Sequence, residues 1–305
     1  MKNRLLTAIF LLTTMTTFGQ INMADSTVQV ITYWETGEKQ DYVVSVEKIN
    51  LKDADTTSRE MTTYEVEVTV LNSAKDAYTI QWLYKNFQTD NPNPAFQKLM
   101  NMNNGMKVIF KTDEVGSFLE VVNHKEVKDF IHKAVLSLKN DFKEIPGMDK
   151  VLNQVEATTS TKEAIESVSI KDIHQFHTFH GAKYTLGEIL EGKTKAPNVY
   201  GSEPFDADFT VYLDEINEPD DTYVMRAIQE IDKEQLTNAT LNYMITMAKN
   251  MGVDPPKRGD LGDLKNEILT ASNIHGTGWV LYSIQTTTVT SGNVSNIEER
   301  IIELK

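Results

Sequence analysis

Three histidines stand close together in the sequence, at His174, His177 and His180. Imidazoles spaced three residues apart on a helix share one broad face, so two of them could bind a zinc or copper ion, with Glu188 or a distant carboxylate completing the shell. The alternative is that the two intervening phenylalanines pack into a core and the histidines form the polar side of the same segment. The spacing differs from the His-Glu-x-x-His pattern of metalloproteases. One hypothesis is therefore a metal-dependent hydrolase with zinc; otherwise we expect no cofactor.

Other catalytic patterns are weak in this sequence. It contains no cysteine and no Gly-x-Ser-x-Gly elbow, so the usual signs of a nucleophilic hydrolase are missing. Asp206 with Asp208, and Asp214 with Glu215, could serve a glycosidase or bind calcium weakly. Aspartate and glutamate together make up 44 of the 305 residues, however, so such pairs are expected by chance. We therefore favour a protein that is not an enzyme.

A second group of candidate residues is apolar or aromatic. Met244 and Met247 lie in a methionine-rich stretch of the second half, and methionine side chains adapt to irregular ligands. Trp34, Trp82 and Tyr84 fall on predicted strands, where aromatic rings can stack on sugars. The alternative is that these side chains fill a core, which is the commoner role of period-two aromatics. We take these five as candidate ligand-binding residues for a lipid, another apolar ligand or a glycan.

The first residues predict export. Lys2 and Arg4 form a basic start, an apolar and threonine-rich run follows over residues 5–18, and Gly19 is small enough to precede a cleavage site. This run of about 14 residues is shorter than the roughly 20 that span a bilayer. We expect a signal peptide over residues 1–19, a mature chain that begins near Gln20 without a transmembrane segment, and a periplasmic or secreted protein.

The net charge limits the classes of partner that the protein can bind, and the cysteine content limits how it can be stabilised. The formal net charge is −14, and removal of Lys2 and Arg4 makes it −16. Such a surface repels phosphate backbones, so we expect no nucleic acid among the partners. Without cysteine an exported chain has no disulfide, and its stability must come from a hydrophobic core. The remaining partners are an unidentified envelope protein, a lipid or a glycan.

Hydrophobic patterning predicts strands over much of residues 20–160. Tyr64, Val66, Val68 and Val70 alternate with polar residues, which is typical of a strand with one face in water. A hairpin over residues 106–122 leads into an amphipathic helix, and Asn123 has the position and side chain of its N-cap. The apolar face of this helix is predicted to consist of Val127, Phe130, Ile131, Ala134, Val135, Leu138 and Phe142.

The second part, residues 161–305, is predicted to follow a similar plan. A hairpin over residues 209–231 leads into a helix that Asp232 and Gln235 cap, and two strands close the chain. Residues 181–203 are rich in glycine and proline and predict a long ordered loop, while residues 261–271 predict a short helix. The fold class is α+β, with antiparallel sheets built from hairpins and amphipathic helices on one face. The two β-β-α halves could be related by duplication, and they could form one continuous domain.

Two segments resemble uncharacterised secreted bacterial proteins. They are FKTDEVGSF at residues 110–118, with EVVN at 120–123, and FHGAKY at residues 179–184, with PN at 197–198 and PF at 204–205. Together they cover about a third of the chain. The resemblance implies export and a shared fold; it implies no activity, because none is established for that group.

Three functions remain open at this point. The first is an exported, non-catalytic envelope protein that binds a ligand or partner through its sheet face and the loop at residues 181–203. The second is the metal-dependent hydrolase with His174, His177 and His180. The third is a structural component of an envelope assembly, which the sequence does not distinguish from the first.

Overall fold

The computed structural model describes residues 20–157, 159–198, 203–262 and 264–305, so the predicted signal peptide lies outside the described residues. The strands are β1 Ile21–Asn22, β2 Thr27–Gln29, β3 Lys39–Lys52, β4 Asp55–Ser73, β5 Ala77–Thr89, β6 Lys107–Asp113, β7 Phe118–Val121, β8 Lys183–Thr185, β9 Ile189–Ala196, β10 Phe205–Asn217, β11 Thr222–Ile231, β12 Leu264–His275, β13 Val280–Ser291 and β14 Val294–Leu304. The α-helices are α1 Pro94–Asn101, α2 His124–Asp141, α3 Met148–Ala157, α4 Lys162–Ala164, α5 Lys171–Phe176 and α6 Lys233–Met251.

Eleven of these strands form one antiparallel sheet in the order β7-β6-β5-β4-β3-β14-β13-β12-β11-β10-β9. The chain enters this sheet at its centre with β3 and meanders outward to β7 at one edge. It then crosses to β9 at the opposite edge and meanders back to β14, which pairs with β3 from Val294↔Lys52 to Leu304↔Tyr42. The segment between β7 and β9, which contains α2 to α5, is called the crossover below.

The sheet has one covered face, as the alternation in β4 predicts. Tyr64, Val66, Val68 and Val70 are all buried. The opposite face carries charged residues such as Glu67, which pairs with Lys85 at 3.3 Å. An antiparallel sheet with helices is therefore confirmed, although the sheet dominates the fold more than the α+β prediction implied.

Helix α2 packs as its sequence predicts, with Val127, Ile131, Val135 and Leu138 buried. The predicted role of Asn123 is wrong, because its side chain makes no hydrogen bond to the first turn of the helix. Its Oδ1 accepts from Ile109 N at 2.7 Å, and its Nδ2 donates to Lys107 O at 3.0 Å. β7 has just left β6 at this point, so the amide continues the pairing of the strand instead of capping the helix.

Two element predictions in the second half fail. Residues 264–271 belong to β12, which pairs with both β11 and β13, so the predicted helix over residues 261–271 is wrong. Residues 181–203 contain β8 and β9, so they are not one long loop. β9 is an exposed edge strand that tolerates Gly192 and needs no apolar alternation, so the sequence lacks the signal that marks an inner strand.

The two predicted β-β-α units are not equivalent in the sheet. The first ends at the edge strand β7, and α2 then leaves the sheet to begin the crossover. In the second, α6 connects β11 to β12, which are neighbours in the sheet. The capping prediction for α6 holds, because Asp232 accepts from Gln235 N at 2.8 Å.

Gly278, in the turn between β12 and β13, is a close-contact point between distant segments. Its φ angle is +86°, and a Cβ atom there would lie 2.4 Å from the carbonyl oxygen of Ile31. The segment that contains Ile31 is held at this turn by a hydrogen bond from Tyr33 N to Thr277 O at 3.1 Å. Gly187 has a similar φ of +80°, but no atom lies within 4 Å of its Cβ position.

We expect Gly278→Ala to lower the free energy of unfolding by about 2 kcal/mol more than Gly187→Ala does, because only Gly278 would force backbone apart. Both substitutions incur the left-handed backbone cost of roughly 1–2 kcal/mol, so their difference isolates the steric clash. Urea denaturation of both variants measures the two losses. Equal losses would show that the chain at Ile31 moves aside freely.

Candidate functional site

A pocket of about 460 Å³ lies between the centre of the sheet and the crossover, and we call it pocket 1. Its floor comes from β3, β4, β5 and β14, and its roof from α1, α2, α3 and α5. Most of its lining is apolar or aromatic, including Tyr64, Tyr84, Phe87, Leu99, Met100 and Met102. The meander brings floor residues from both ends of the chain together, because β3 and β14 are neighbours.

Charged side chains at one end of pocket 1 are paired with each other. Arg300 Nε on β14 lies 2.9 Å from Asp172 Oδ1 on α5, and both side chains are less than 10% exposed. Tyr64 donates its hydroxyl proton to Asp172 Oδ2 at 2.7 Å. Glu298 lies 2.9 Å from Arg300 Nη2 and 3.2 Å from Lys171 Nζ. We call Lys171, Asp172, Glu298 and Arg300 the charged wall.

Burial and ion pairing shift the pKa values of Arg300 and Glu298 in the charged wall in opposite directions. Burial alone would lower the pKa of Arg300, but Asp172 and Glu298 outweigh it, and the net shift is upward. Burial would likewise raise the pKa of Glu298, whereas Lys171 and Arg300 hold it below its ordinary value. Both net shifts favour the charged forms of Arg300 and Glu298, each of which lies beside a partner of opposite charge.

A second pocket of about 650 Å³, pocket 2, lies on the same face over the other half of the sheet. Its floor comes from β10 to β14, and the crossover covers it on one side. Lys171, Glu298 and Arg300 line both pockets, so the charged wall stands where they meet. Hydroxyl and amide side chains line pocket 2, including Thr178, Gln229, Asn266, Thr270, Gln285 and Thr287.

The aromatic candidates lie mainly in the core. Trp34 and Trp82 are only 2% and 0% exposed, so neither presents a ring to solvent in this structure. Trp34 stacks on Trp279 with ring centroids 4.2 Å apart, and Trp82 packs edge-on against Phe176 at 5.5 Å. Tyr84 is buried as well, but it lines pocket 1, whereas Trp34 and Trp82 line neither pocket 1 nor pocket 2.

The methionine candidates lie elsewhere. Met244 and Met247 are 38% and 39% exposed on α6, and neither lines pocket 1 or pocket 2. Helix α6 packs through Leu236 into a small separate core at the end of β10 to β12. The structure therefore does not bring Met244 and Met247 together with the aromatic candidates.

Two of the three clustered histidines are close to each other. The rings of His177 and His180 are buried, with centroids 5.1 Å apart. His177 Nδ1 donates to Gly116 O at 2.8 Å, and His180 Nε2 donates to Gly278 O at 2.8 Å. Since a carbonyl oxygen can only accept, these bonds fix the neutral tautomer of each ring.

His174 has partners different from those of this pair. Its Nε2 donates to Glu166 O, and its ring packs on Phe118 at 5.0 Å between centroids. Across the ranges the structure describes, no three His, Cys, Asp or Glu side chains form a group that could hold a metal ion. The donor set offers at most two imidazoles, so the residues present do not complete the shell that zinc takes in proteins.

Three of the four candidate carboxylates, Asp206, Asp208 and Asp214, contact a lysine or an arginine. Asp206 contacts Lys195, and Asp208 contacts Lys193, across the β9–β10 pair. Asp214 accepts from Arg226 at 2.6 Å. All lie on exposed strand surface, where such pairs are structural and contribute little to stability.

Sequence reasoning missed the charged wall. Arg300 occupies an inward position of β14, next but one to the fully buried Ile302. Asp172 lies between Ile170 and Ile173, both fully buried. A charged residue at a position that the apolar period assigns to the core is the signal that could have identified both.

We expect His180 to destabilise the fold as pH falls from about 6.5 to about 4. Burial lowers the pKa of His180 from 6.5 to about 4, so between these values the unfolded state binds a proton that the folded state does not. Unfolding free energy therefore falls with pH in this window, by about 3 kcal/mol in total. Above the window both states are neutral, and below it both are protonated, so the loss is then complete.

Urea denaturation at several pH values across this window measures the effect. His180→Phe should reduce the pH dependence without abolishing it, because burial also lowers the pKa of the neighbouring His177 well below its ordinary value. An unaltered slope in His180→Phe would assign the acid sensitivity to other groups.

None of the helices in the described ranges combines the length and the apolar composition that crossing a bilayer requires.

No protein-family model matches the chain, and no curated protein matches it. Among solved structures it is similar to lipovitellin, from a study of lipid–protein interactions, with 11% identity and a TM-score of 0.40 over 89% of this chain and 25% of that chain. It is also similar to a "putative exported protein with YmcC-like fold" from Bacteroides fragilis, with 7% identity and a TM-score of 0.23 over 90% and 99%. The chain thus spans about a quarter of the lipovitellin chain, and at these TM-scores neither likeness carries an argument about function.

Proposed function

We propose that this protein is a non-catalytic binding protein, exported to the bacterial envelope, that holds an apolar chain in pocket 1. The observation that carries the proposal is a pocket of about 460 Å³ in the middle of the fold, floored by aromatic and aliphatic side chains. Small-molecule sites have volumes of roughly 300–1,000 Å³ and mostly apolar linings. Pocket 1 meets both criteria.

The lining of pocket 1 suits a flexible hydrocarbon. Met100 and Met102 lie at the roof, where unbranched thioether side chains adjust to a chain of variable shape. Tyr64 and Phe87 stack at 4.5 Å between ring centroids and give the floor a flat apolar surface. A saturated chain would make dispersion contacts on both sides without displacing a buried polar group.

The charged wall supports binding over catalysis. Each of its cations is paired with a carboxylate, and Tyr64 satisfies the remaining oxygen of Asp172. An uncharged chain can therefore lie against the wall without leaving a buried charge unpaired. Neither the histidine pair nor the exposed carboxylates line pocket 1.

We expect affinity for 1-alkanols to increase with chain length from 1-octanol to 1-dodecanol, because each methylene moved into the pocket contributes about 0.8 kcal/mol. This corresponds to a Kd that falls roughly fourfold for each methylene, until the pocket is filled. Isothermal titration calorimetry measures the series, and uncharged alcohols avoid repulsion by the acidic surface.

Val46→Phe should weaken this binding at least tenfold, because Val46 lines pocket 1 from β3 and a larger ring would occupy the space. Val43→Phe is the matched control, since Val43 lies on the same strand and points to the opposite face. A Kd that ignores chain length, or equal losses in the two variants, would contradict binding in pocket 1.

A further inference from the structure

The polarity of the side chains on the covered face differs between the two halves of the sheet. Over β3 to β5 its pocket-facing residues are mostly apolar, as expected beneath helices. Over β11 to β13 the same face carries hydroxyl and amide side chains at the floor of pocket 2. These are Gln229 on β11, Asn266 and Thr270 on β12, and Gln285 and Thr287 on β13.

The register shows that these polar groups form one continuous surface. Thr270 is directly opposite Gln285, and Gln285 is opposite Arg300 of the charged wall. In the adjacent row, Gln229 is opposite Ile268, Ile268 is opposite Thr287, and Thr287 is opposite Glu298. Cross-strand neighbours of this kind lie about 5 Å apart, so a ligand several groups long can contact them together.

Part of this polar surface has hydrogen-bonding capacity left over. Asn266 Oδ1 is buried, and no described protein group donates to it. Buried acceptors of this kind are almost always paired in folded proteins. Because less than 1 Å² of this oxygen is exposed, a ligand with hydroxyl groups would supply the missing donor once the Asn266 side chain turns toward pocket 2.

The charges around pocket 2 argue against an ionic ligand. Lys171 is paired with Glu298, Lys195 with Asp206, and Arg300 with Asp172. No cation that lines this pocket from the described residues is left to bind a phosphate or carboxylate group. The floor also includes Phe209 and Ala227, which can contact the apolar face of a sugar ring.

We propose that pocket 2 binds the uncharged, hydroxyl-rich headgroup of the same amphiphile whose chain occupies pocket 1, so that the ligand class is a glycolipid. This inference rests on the proposed function, because it places the chain in pocket 1. The two pockets meet at Lys171, Glu298 and Arg300, so the junction of headgroup and chain lies over the charged wall. A pocket volume of about 650 Å³ lies within the range of small-molecule sites.

The test compares three probes on the full chain below micellar concentration: dodecyl maltoside, 1-dodecanol and maltose. We expect the maltoside to bind at least tenfold more tightly than the alcohol, and maltose alone to bind weakly. Equal Kd values for maltoside and alcohol would overturn the headgroup assignment and leave the apolar-chain proposal intact. Absence of binding by both would overturn the two proposals together, and maltose binding as tightly as the maltoside would show a glycan site independent of a chain.

Substitutions in the floor of pocket 2 test where the headgroup binds. Thr287→Val and Gln229→Leu remove hydrogen-bonding groups with little change of shape, and each should weaken maltoside binding roughly three- to tenfold while the Kd of 1-dodecanol stays constant. Thr288→Val is the matched control, because Thr288 follows on the same strand and points to the opposite face. An effect of Thr288→Val equal to that of Thr287→Val would overturn the assignment to pocket 2.

Discussion

A buried ion pair between Asp172 of α5 and Arg300 of β14 ties the crossover to the middle of the sheet. Such a pair adds little net stability, because desolvation offsets most of the attraction, but loss of one partner leaves an uncompensated buried charge. The pair therefore acts mainly by fixing the position of α5 on the sheet. Gln175, one turn further along, adds hydrogen bonds to Ser283 Oγ at 3.0 Å and to the Arg300 carbonyl at 3.2 Å. With α5 fixed at this point, the crossover bridges the face, and cavities remain on either side of the wall.

The buried histidines and tryptophans have a related structural role at the end of the sheet. His177 and His180 bind the carbonyls of Gly116 and Gly278, which belong to turns far apart in the sequence. Trp34 lies against both of these rings and stacks on Trp279. The cluster joins the segment before β3, the crossover and the β12–β13 turn, and this explains why imidazoles at helical spacing are present without a third ligand.

The periodicity of apolar residues predicted those elements of the fold that have one buried face and one solvent-exposed face. The alternation of Tyr64 to Val70 and the stripe of Val127 to Leu138 both identified their element and its buried face. Sequence patterns failed where tertiary contacts determine the structure. β12 is a strand because it pairs with two neighbouring strands, and β9 is an exposed edge strand. Asn123 hydrogen-bonds to the neighbouring strand β6 instead of to its own helix. The pockets could not be predicted, because their floors combine four strands in pocket 1 and five in pocket 2. A period identifies which side chains face inward without showing which of them are in contact with each other.

The central pairing of β3 with β14 also determines how the protein can fold. β3 pairs early with β4, but its second partner, β14, is the last strand of the chain, so the sheet cannot be completed from either end. Contacts between residues so distant in sequence close a large loop, which makes folding slow relative to proteins with mostly local pairings. Until that step, β3 and β14 both present unpaired backbone edges, the state in which β proteins are most prone to aggregate. The topology that creates the pockets therefore leaves two long strand edges unpaired in the unfinished chain.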